Sequence, residues 1–221
     1  MIRASDDFPS FFTPRESEPL IIDCGANIGV SVLEWKTRWP MCRVICFEPD
    51  PDAFRLLSLN VERNDIPGVR CIQAAVADFD GETMLFGEMG HGADARGNSI
   101  HPEWGRREDS SSVQVDCRKL SPILAKQTVS FLKMDIEGAE ESVLRESVHQ
   151  LHRVDAIYVE VHETDDMQDQ NSSQRIEELL ASGDFHIEKE TRYQPHALPP
   201  DLDDWRQRVN ATQTQLLAWR D

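Results

Sequence analysis

Short apolar runs alternate with longer amphipathic stretches along most of the chain. The run PLIIDCG closes on Gly25, and the next stretch, NIGVSVLEWKTRW, spaces its apolar residues as a helix does. Short apolar runs bounded by turn residues favour buried strands, whereas apolar positions three or four residues apart favour helices. The same alternation recurs towards the C-terminus. It predicts an α/β protein with a mainly parallel sheet and helices on both faces.

The remaining elements follow from the same reading. Further strands are expected in CRVICFE, GVRCIQAAVA, SVQVDCRKL, VSFLKMD, VDAIYVEVHE, FHIEKE and ATQTQLLAWRD, and further helices in PDAFRLLSLNVERND, AEESVLRESVHQL and SQRIEELLASGD. In FDGETMLF a turn at Asp80-Gly81 separates two strand-like pieces, which predicts a hairpin. No repeat or linker divides the chain, so we expect an N-terminal lead-in over residues 1–19 and one domain over residues 20–221.

Residues 87–112 interrupt the alternation. The segment holds five glycines and many charged residues, and a loop of this length in a compact domain is usually functional or disordered. We expect an insertion loop that covers an acceptor site, with a solvated loop as the alternative. Its polar and aromatic groups suit a sugar or a phosphorylated group, and Trp205 is a candidate for the opposite wall; the loop residues are His91, His101, Trp104, Arg106 and Arg107.

Composition narrows the classes of partner. The 221 residues carry a formal net charge of −17, which disfavours nucleic acid and an anionic membrane surface as partners. No apolar run is long enough to predict membrane insertion. The five cysteines form no CxxC pair and lie mostly in apolar runs. They are therefore expected to be free thiols in a reducing compartment, and the predicted location is cytoplasmic.

A glycine-containing turn follows the first strand. In DCGANIG, Gly25 allows a sharp turn and a close ligand, while Gly29 allows close helix packing. The spacing differs from the G-x-G-x-x-G of dinucleotide sites, and a carboxylate at Asp23 would repel a pyrophosphate. Glu48 ends the second strand, where an acid can accept hydrogen bonds from ribose hydroxyls. Together these residues indicate a nucleoside site for a cationic or zwitterionic ligand.

These motifs resemble those of a known family. IIDCGANIGVSVLEW, VICFEPDPDAFRLLSLNVERN, QAAVADFDGE, FLKMDIEGAEESVL and IYVEVHE occur in the order seen in the FkbM family of class I methyltransferases, which use S-adenosylmethionine (SAM). The resemblance runs from about Leu20 to His162 and continues more weakly to the C-terminus. It implies a single-domain Rossmann-like fold with a mostly parallel seven-stranded sheet, one antiparallel strand near the C-terminus and helices on both faces.

The resemblance also implies roles for individual residues. The methionine part of SAM would be surrounded by Asp23, Gly25, Asn27 and Gly29. Glu48, with Pro49 beside it, would hold the ribose, and Ala75 and Val76 would flank the adenine. Weaker carry-overs place Asp78, Asn98 and Ser99 near the cofactor, and Asn60 matches a recurrent asparagine of the second helix.

Charged residues at the ends of two later strands are the candidates for catalysis. Residues two apart share one face of a strand, so Lys133 would lie with Asp135, and Glu160 with His162. The resemblance places Asp135 opposite the SAM methyl group. If the two faces meet, these four residues converge beside the sulfonium. His162 has the intrinsic pKa of a base near neutral pH, whereas Glu137 is interpreted as an acid at the start of the following helix.

A metal ion is a second way to assist the same chemistry. Asp135, Glu160 and His162 would suit Mg²⁺ or Mn²⁺. Three ligands without a dense carboxylate cluster favour metal-independent catalysis instead. A structural Lys133–Asp135 ion pair is the non-catalytic alternative.

The sequence therefore predicts a SAM-dependent O-methyltransferase. The expected acceptor is a small molecule or glycan, namely a hydroxyl of a sugar, a glycan or a glycosylated natural product. The alternatives are a SAM- or glycan-binding module without catalysis and, disfavoured by the glycine spacing, a nucleotide-binding oxidoreductase. A homodimer and a place within a larger multidomain protein are both compatible with the resemblance.

Overall fold

Within the part of the chain that the structure describes, ten strands form two sheets. The computed structural model describes residues 11–87, 97–104, 110–193 and 211–220. The strands are β1 (Leu20–Cys24), β2 (Arg43–Phe47), β3 (Val69–Ile72), β4 (Ala75–Val76), β5 (Gly81–Gly87), β6 (Ser111–Arg118), β7 (Val129–Met134), β8 (Val154–Thr164), β9 (His186–Tyr193) and β10 (Ala211–Trp219).

Five α-helices connect the strands in these described ranges. They are α1 (Val30–Arg38), α2 (Pro51–Arg63), α3 (Ser121–Leu124), α4 (Glu140–Ser147) and α5 (Ser173–Ser182), with 3-10 turns over Val148–Arg153 and Asp165–Met167. None of the helices in the described ranges is both long enough and apolar enough to cross a bilayer. At the start of α2, Asp50 Oδ1 accepts from the N–H groups of Asp52 and Ala53, and Pro51 occupies the first helical position.

The main sheet has the strand order β3-β2-β1-β7-β8-β10-β9. The first five strands run parallel, and β10 lies antiparallel between β8 and β9. The two faces alternate along each strand: Ile21 and Phe131 pack towards α1 and α2, whereas Ile22 and Leu132 pack towards α4 and α5. This architecture confirms the predicted fold class.

The described part of the lead-in packs against this sheet. The ring centroids of Phe11 and Phe131 are 5.9 Å apart, and those of Phe11 and Trp219 are 6.0 Å apart. Phe12 stacks on Phe131 at 6.4 Å. All five cysteines are free, as predicted, and four of them are buried.

Two local predictions are wrong. GVRCIQAAVA is not one strand, because β3 belongs to the main sheet and β4 to a second, three-stranded sheet. FDGETMLF does not form a hairpin, since β4 and β5 do not pair with each other and lie on opposite sides of β6. Both errors have the same cause: the partner strand β6 lies far along the chain, so no local pattern reveals it.

The start of α4 also differs from the expectation. The helix begins at Glu140 instead of at Glu137 and Gly138. Glu137 has φ 58° and Gly138 has φ 105°, and neither value is compatible with a right-handed helix. The Glu140 carboxylate accepts hydrogen bonds from the N–H groups of Ile136 and Gly138, so it satisfies the amides of this connection.

Candidate active site

The carboxyl ends of β1, β2 and β7 meet at one cavity, where ligands of open parallel sheets bind. Seven predicted site residues line it, with apolar and loop residues between them. The predicted residues are Gly25, Asn27, Glu48, Pro49, Ala75, Val76 and Asp135, and the others are Phe47, Ala74, Leu85, Gly97, Asn98, Ile100, Ile136 and Glu137.

Gly25 brings two strand ends into direct contact. It has φ +82°, and a Cβ at this position would lie 1.8 Å from the carbonyl oxygen of Asp135. Its N–H donates to the carbonyl of Phe47, and the N–H of Asp135 donates to the carbonyl of Cys24. Only glycine combines this backbone conformation with this approach. The turn therefore fixes the positions of the β1, β2 and β7 ends relative to one another.

Glu48 is a buried acid at the end of β2. Its Oε2 accepts from Asn27 N–H at 2.7 Å and its Oε1 from Asp50 N–H at 2.9 Å. Burial raises the pKa of its carboxyl to about 7. An ionised carboxylate offers about four acceptor positions, so two remain available to hydroxyl groups of a ligand in the cavity. The side-chain Oδ1 of Asn27, also buried, has no hydrogen-bond partner among the described residues.

The opposite part of the cavity is apolar. Ala75 and Val76 of β4 are buried there beside Phe47, Leu85 and Ile100. Flat apolar walls with a few polar groups at one end suit an adenine ring attached to a ribose. The weakly predicted Asn98 lies at the edge of this region, and its Nδ2 donates to Asp50 Oδ2 at 3.2 Å. Ser99 donates to the carbonyl of Glu137 at 2.6 Å, so it links the loop to the β7–α4 connection.

Two predicted cofactor residues lie behind the cavity wall. Asp23 is fully buried; its Oδ2 accepts from Trp35 Nε1 at 3.0 Å and its Oδ1 lies 3.5 Å from Lys133 Nζ. Gly29, with φ +93°, packs against Leu57 of α2. These positions shape the turn from beneath without lining the cavity.

Lys133 links the two sides of the site. Its buried ammonium donates to the carbonyl of Gly25 at 3.0 Å and to Asp135 Oδ2 at 3.3 Å, and it lies beside Asp23. Burial alone would lower the pKa of Lys133, but the carboxylates of Asp135, Asp23 and Glu160 outweigh it and raise that pKa. Lys133 is therefore charged, and it holds Asp135 next to the glycine turn.

Asp135, Glu137 and His162 form one cluster at the end of the cavity. One potential ligand atom from each lies within 4.8 Å of the others. His162 Nδ1 is 3.5 Å from Glu137 Oε2, and His162 Nε2 is 3.6 Å from Glu160 Oε1. The four predicted catalytic residues thus lie together, and Glu137, which was interpreted as a helix-start acid, joins them.

The carboxylates determine the charge of His162. Burial opposes the charged imidazole, but Glu137, Asp135, Glu140 and Glu160 outweigh that effect and raise the pKa of His162 to about 9. Burial raises the pKa of Glu137 to about 7, although His162 partly offsets this. His162 is therefore protonated at neutral pH in the free protein. The neutral imidazole that a general base requires is not the favoured form, contrary to the argument from its intrinsic pKa.

Glu160 is fixed by hydrogen bonds of its own. Its Oε2 accepts from Tyr158 OH at 2.6 Å and from Gln215 Nε2 at 3.2 Å, and its Oε1 accepts from Gln213. Both glutamines belong to β10, which lies beside β8. In the structure it is Glu137, and not the predicted Glu160, that shares the potential metal cluster with Asp135 and His162.

A family profile described as the Methyltransferase FkbM domain matches residues 23–187. The chain belongs to the FkbM methyltransferase family. This confirms the resemblance drawn from the sequence motifs.

Individual methyltransferases are similar to this chain. Methyltransferase 1 of Beauveria bassiana is 28% identical over 207 residues, which cover 86% of this chain and 80% of that protein. The 2-O-methyltransferase NoeI of Sinorhizobium fredii is 25% identical over 182 residues, or 76% of this chain and 73% of that protein. The crystal structure of an FkbM methyltransferase from Methylobacillus flagellatus matches 96% of this chain with a TM-score of 0.61 at 16% identity. The chain spans 47% of that longer protein. At 16% identity, this match shows the fold alone.

Two residues of this site were not predicted from the sequence to belong to it. Glu137 was one, because an acid before a helix is common; its left-handed backbone has no clear signal apart from the following glycine. Asn171 was another: it is fully buried, donates to Glu140 Oε2 at 2.7 Å and to the carbonyl of His162 at 3.1 Å, and accepts from Glu141 N–H. It lies in a polar stretch that predicts only a loop.

The predicted acceptor loop is described only in part. Trp104 makes an edge-to-face contact with His162 at a centroid distance of 5.9 Å, so one expected loop residue lies at the cluster. His101 is partly buried, and burial lowers its pKa. His91, Arg106, Arg107 and Trp205 lie outside the described residues.

Proposed function

We propose that the chain is a SAM-dependent O-methyltransferase that acts on a hydroxyl of a sugar, a glycan or a glycosylated natural product. One observation carries the proposal. Glu48 at the end of β2 and Asp135 after β7 line the same cavity, with the Gly25 turn between them. One carboxylate is thus available to a ribose and the other to the reacting centre, within a family of methyltransferases.

The polarity and charge of the cavity lining support SAM as the ligand. The apolar walls around Ala75 and Val76 suit the adenine, and the free acceptor positions of Glu48 suit the ribose hydroxyls. The methionine part would then lie along the Gly25–Asn27 turn. There the buried Oδ1 of Asn27, which has no hydrogen-bond partner among the described residues, could accept a hydrogen bond from it. When bound, SAM supplies a methyl group on a sulfonium, whose positive charge the Asp135 carboxylate would attract.

The remaining chemistry belongs to the acceptor and to the chain. SAM would supply the methyl group and keep the electron pair of the broken carbon–sulfur bond, so the acceptor hydroxyl would have one proton to lose. The hydroxyl proton passes to the Asp135 carboxylate, which is partly exposed to the cavity. Lys133 fixes that carboxylate at 3.3 Å. The protonated His162 has a ring nitrogen within 4.8 Å of this carboxylate and balances its charge. Glu160, which contacts His162 at 3.6 Å, helps to orient the acceptor.

Transfer to oxygen is supported by a relative. NoeI, a 2-O-methyltransferase by its name, aligns with 76% of the chain. The acidic cluster also favours a neutral, hydroxyl-rich acceptor over an anionic one, because an anion would be repelled by Asp135, Glu137 and Glu160. A sugar hydroxyl meets both conditions.

The test separates catalysis from binding. The protein is incubated with methyl-labelled SAM and a panel of sugars, glycosides and alcohols, and labelled product is counted for the wild type, Asp135→Asn and Asp65→Asn. Asp65 is an exposed turn residue with φ 48°, which asparagine tolerates, so it is the matched control. We expect Asp135→Asn to lose at least about 100-fold in turnover while it still binds SAM.

Two outcomes would contradict the proposal. Unchanged turnover in Asp135→Asn would remove the assigned role of this carboxylate. SAM binding without transfer to any acceptor in the panel would favour a SAM-binding module instead.

A further inference from the structure

Three side chains of the kinds that bind metal ions come together from separate structural elements. Asp135 follows β7, Glu137 lies in the β7–α4 connection, and His162 lies near the end of β8. One potential ligand atom from each lies within 4.8 Å of the others. Asp135 and Glu137 also line the cavity, so this point is open to small molecules from one side.

The contact between Glu137 and His162 is incomplete as a hydrogen bond. Glu137 Oε2 and His162 Nδ1 face each other at 3.5 Å, and both atoms are buried without a hydrogen-bond partner among the described residues. Two ligands that are each about 2.1 Å from one ion lie roughly 3.0–3.4 Å apart. The observed 3.5 Å is slightly longer than this range. It is also longer than an ordinary hydrogen bond, so a small inward shift of both side chains would let them share an ion.

The backbone supports the same arrangement. Glu137 has φ 58°, a left-handed conformation that costs a non-glycine residue about 1–3 kcal/mol and persists where the surroundings enforce it. The neighbouring Gly138 has no room for a side chain, since a Cβ would lie 2.6 Å from Trp104 Cδ1. Glu137 and Gly138 form a left-handed turn before α4 and are not part of the helix. The turn places the Glu137 carboxylate next to His162.

We propose that Asp135, Glu137 and His162 bind one divalent cation at the acceptor end of the cavity. Two carboxylates and one imidazole suit Mn²⁺, and Mg²⁺ is an alternative that prefers oxygen ligands more strongly. The ion would displace the proton that His162 carries in the free protein, because only the neutral imidazole binds a metal. Three protein ligands leave coordination positions that face the cavity. Because Asp135 has two oxygens, one can bind the ion while the other receives the proton of the acceptor.

The ion would also define the acceptor more narrowly. A cation with adjacent open positions favours two neighbouring oxygens, such as a vicinal diol of a sugar, and it lowers the pKa of a hydroxyl that it contacts. This role depends on the proposed methyl transfer. The binding of the ion does not, so the two can fail separately.

The test is a direct titration of the protein with Mn²⁺, in which electron paramagnetic resonance measures the concentration of the free ion. It uses the full chain at physiological ionic strength, because an acidic protein also binds divalent cations weakly and non-specifically. The variants are Glu137→Gln and His162→Asn. The matched control is Glu62→Gln, which removes one exposed carboxylate on α2. Circular dichroism and SAM titration show whether each variant is folded.

We expect one Mn²⁺ per wild-type chain above the non-specific background. Glu137→Gln and His162→Asn should each weaken it at least about 10-fold, while Glu62→Gln changes it less than about 2-fold. Glu160→Gln distinguishes the proposed ligands Asp135, Glu137 and His162 from the set predicted from the sequence, which has Glu160 in place of Glu137. Because Glu160 is held by Tyr158 and two glutamines, its loss should weaken Mn²⁺ binding far less than the loss of Glu137.

The proposal is overturned if the wild type shows only non-specific Mn²⁺, or if a folded Glu137→Gln variant binds as the wild type does. If Glu137→Gln does not fold, His162→Asn decides by the same criterion. Metal binding without methyl transfer would support this site and contradict the proposed function. Methyl transfer by a wild-type chain that binds no metal would support the proposed function and contradict this site.

Discussion

At the scale of single residues, Glu48 has the most specific consequence. It is buried at the end of β2 with two backbone amides on its carboxylate. The residue was identified from the sequence because an acid that ends the second strand is the usual ribose partner. Its raised pKa was not, since burial and the neighbouring backbone become known only when the chain is folded.

The affinity for SAM should depend on pH through Glu48. Burial raises its pKa to about 7, and ribose hydroxyls donate to the ionised form. Below pH 7 the free protein takes up a proton that must leave on binding, so affinity falls as the pH falls, by roughly tenfold between pH 8 and pH 6. Calorimetric titration at several pH values measures this.

Glu48→Gln is the variant that isolates this effect. It should bind SAM more weakly at pH 8 and should lose most of the pH dependence. A pH profile that is the same in wild type and variant would assign the titration to another group.

Gly25→Ala tests the contact between strand ends. The new Cβ would lie 1.8 Å from the Asp135 carbonyl at a left-handed φ, so we expect a loss of about 2–4 kcal/mol in the free energy of unfolding and loss of SAM binding. Gly183→Ala is the matched control, because Gly183 has φ −96° and its Cβ would approach no atom closer than 3.3 Å. Chemical denaturation measures both. A small change at Gly25 would contradict the packing described for this turn.

At the scale of elements, the β7–α4 connection determines the site. Strand β7 was predicted from its apolar run, and its polar end was predicted to be functional. The connection itself was not predicted, because its shape depends on Glu140 and Asn171, which are 31 residues apart. The same limitation explains the false hairpin: β4 has only two residues and pairs with β6, far along the chain.

Asn171→Ala should therefore destabilise the protein by about 2–4 kcal/mol. It leaves the buried Glu141 N–H, the Glu140 carboxylate and the His162 carbonyl each without one partner. Asn64→Ala is the control, since the exposed Asn64 makes one hydrogen bond to Asn60, and we expect less than about 1 kcal/mol. Equal effects of the two changes in denaturant unfolding would show that the buried amide does not secure this connection.

At the scale of the whole molecule, the local pattern predicted the class of the fold and not its order. Apolar runs identify strands because buried strands must be apolar, and alternation with helices makes most of them parallel. The insertion of β10 between β8 and β9 is a long-range pairing. The family resemblance predicted one antiparallel strand near the C-terminus, but not its position between β8 and β9.

The net charge of −17 has a measurable effect on the whole chain. Repulsion among unscreened acids destabilises the folded state, and salt weakens this repulsion. We expect the melting temperature to rise by a few degrees between about 0.01 M and about 0.1 M sodium chloride. A melting temperature that falls over this range would show that attractive ion pairs outweigh the repulsion.

The central claim is that the cavity between Glu48 and Asp135 binds SAM. Isothermal titration of the wild type and of Glu48→Ala with SAM and with S-adenosylhomocysteine tests it most directly. We predict one site per chain with micromolar affinity for both ligands, weakened at least about tenfold in Glu48→Ala while the protein stays folded. A folded wild-type chain that binds neither ligand would contradict the account, and the cluster at Asp135 would then have to be explained without a methyl donor.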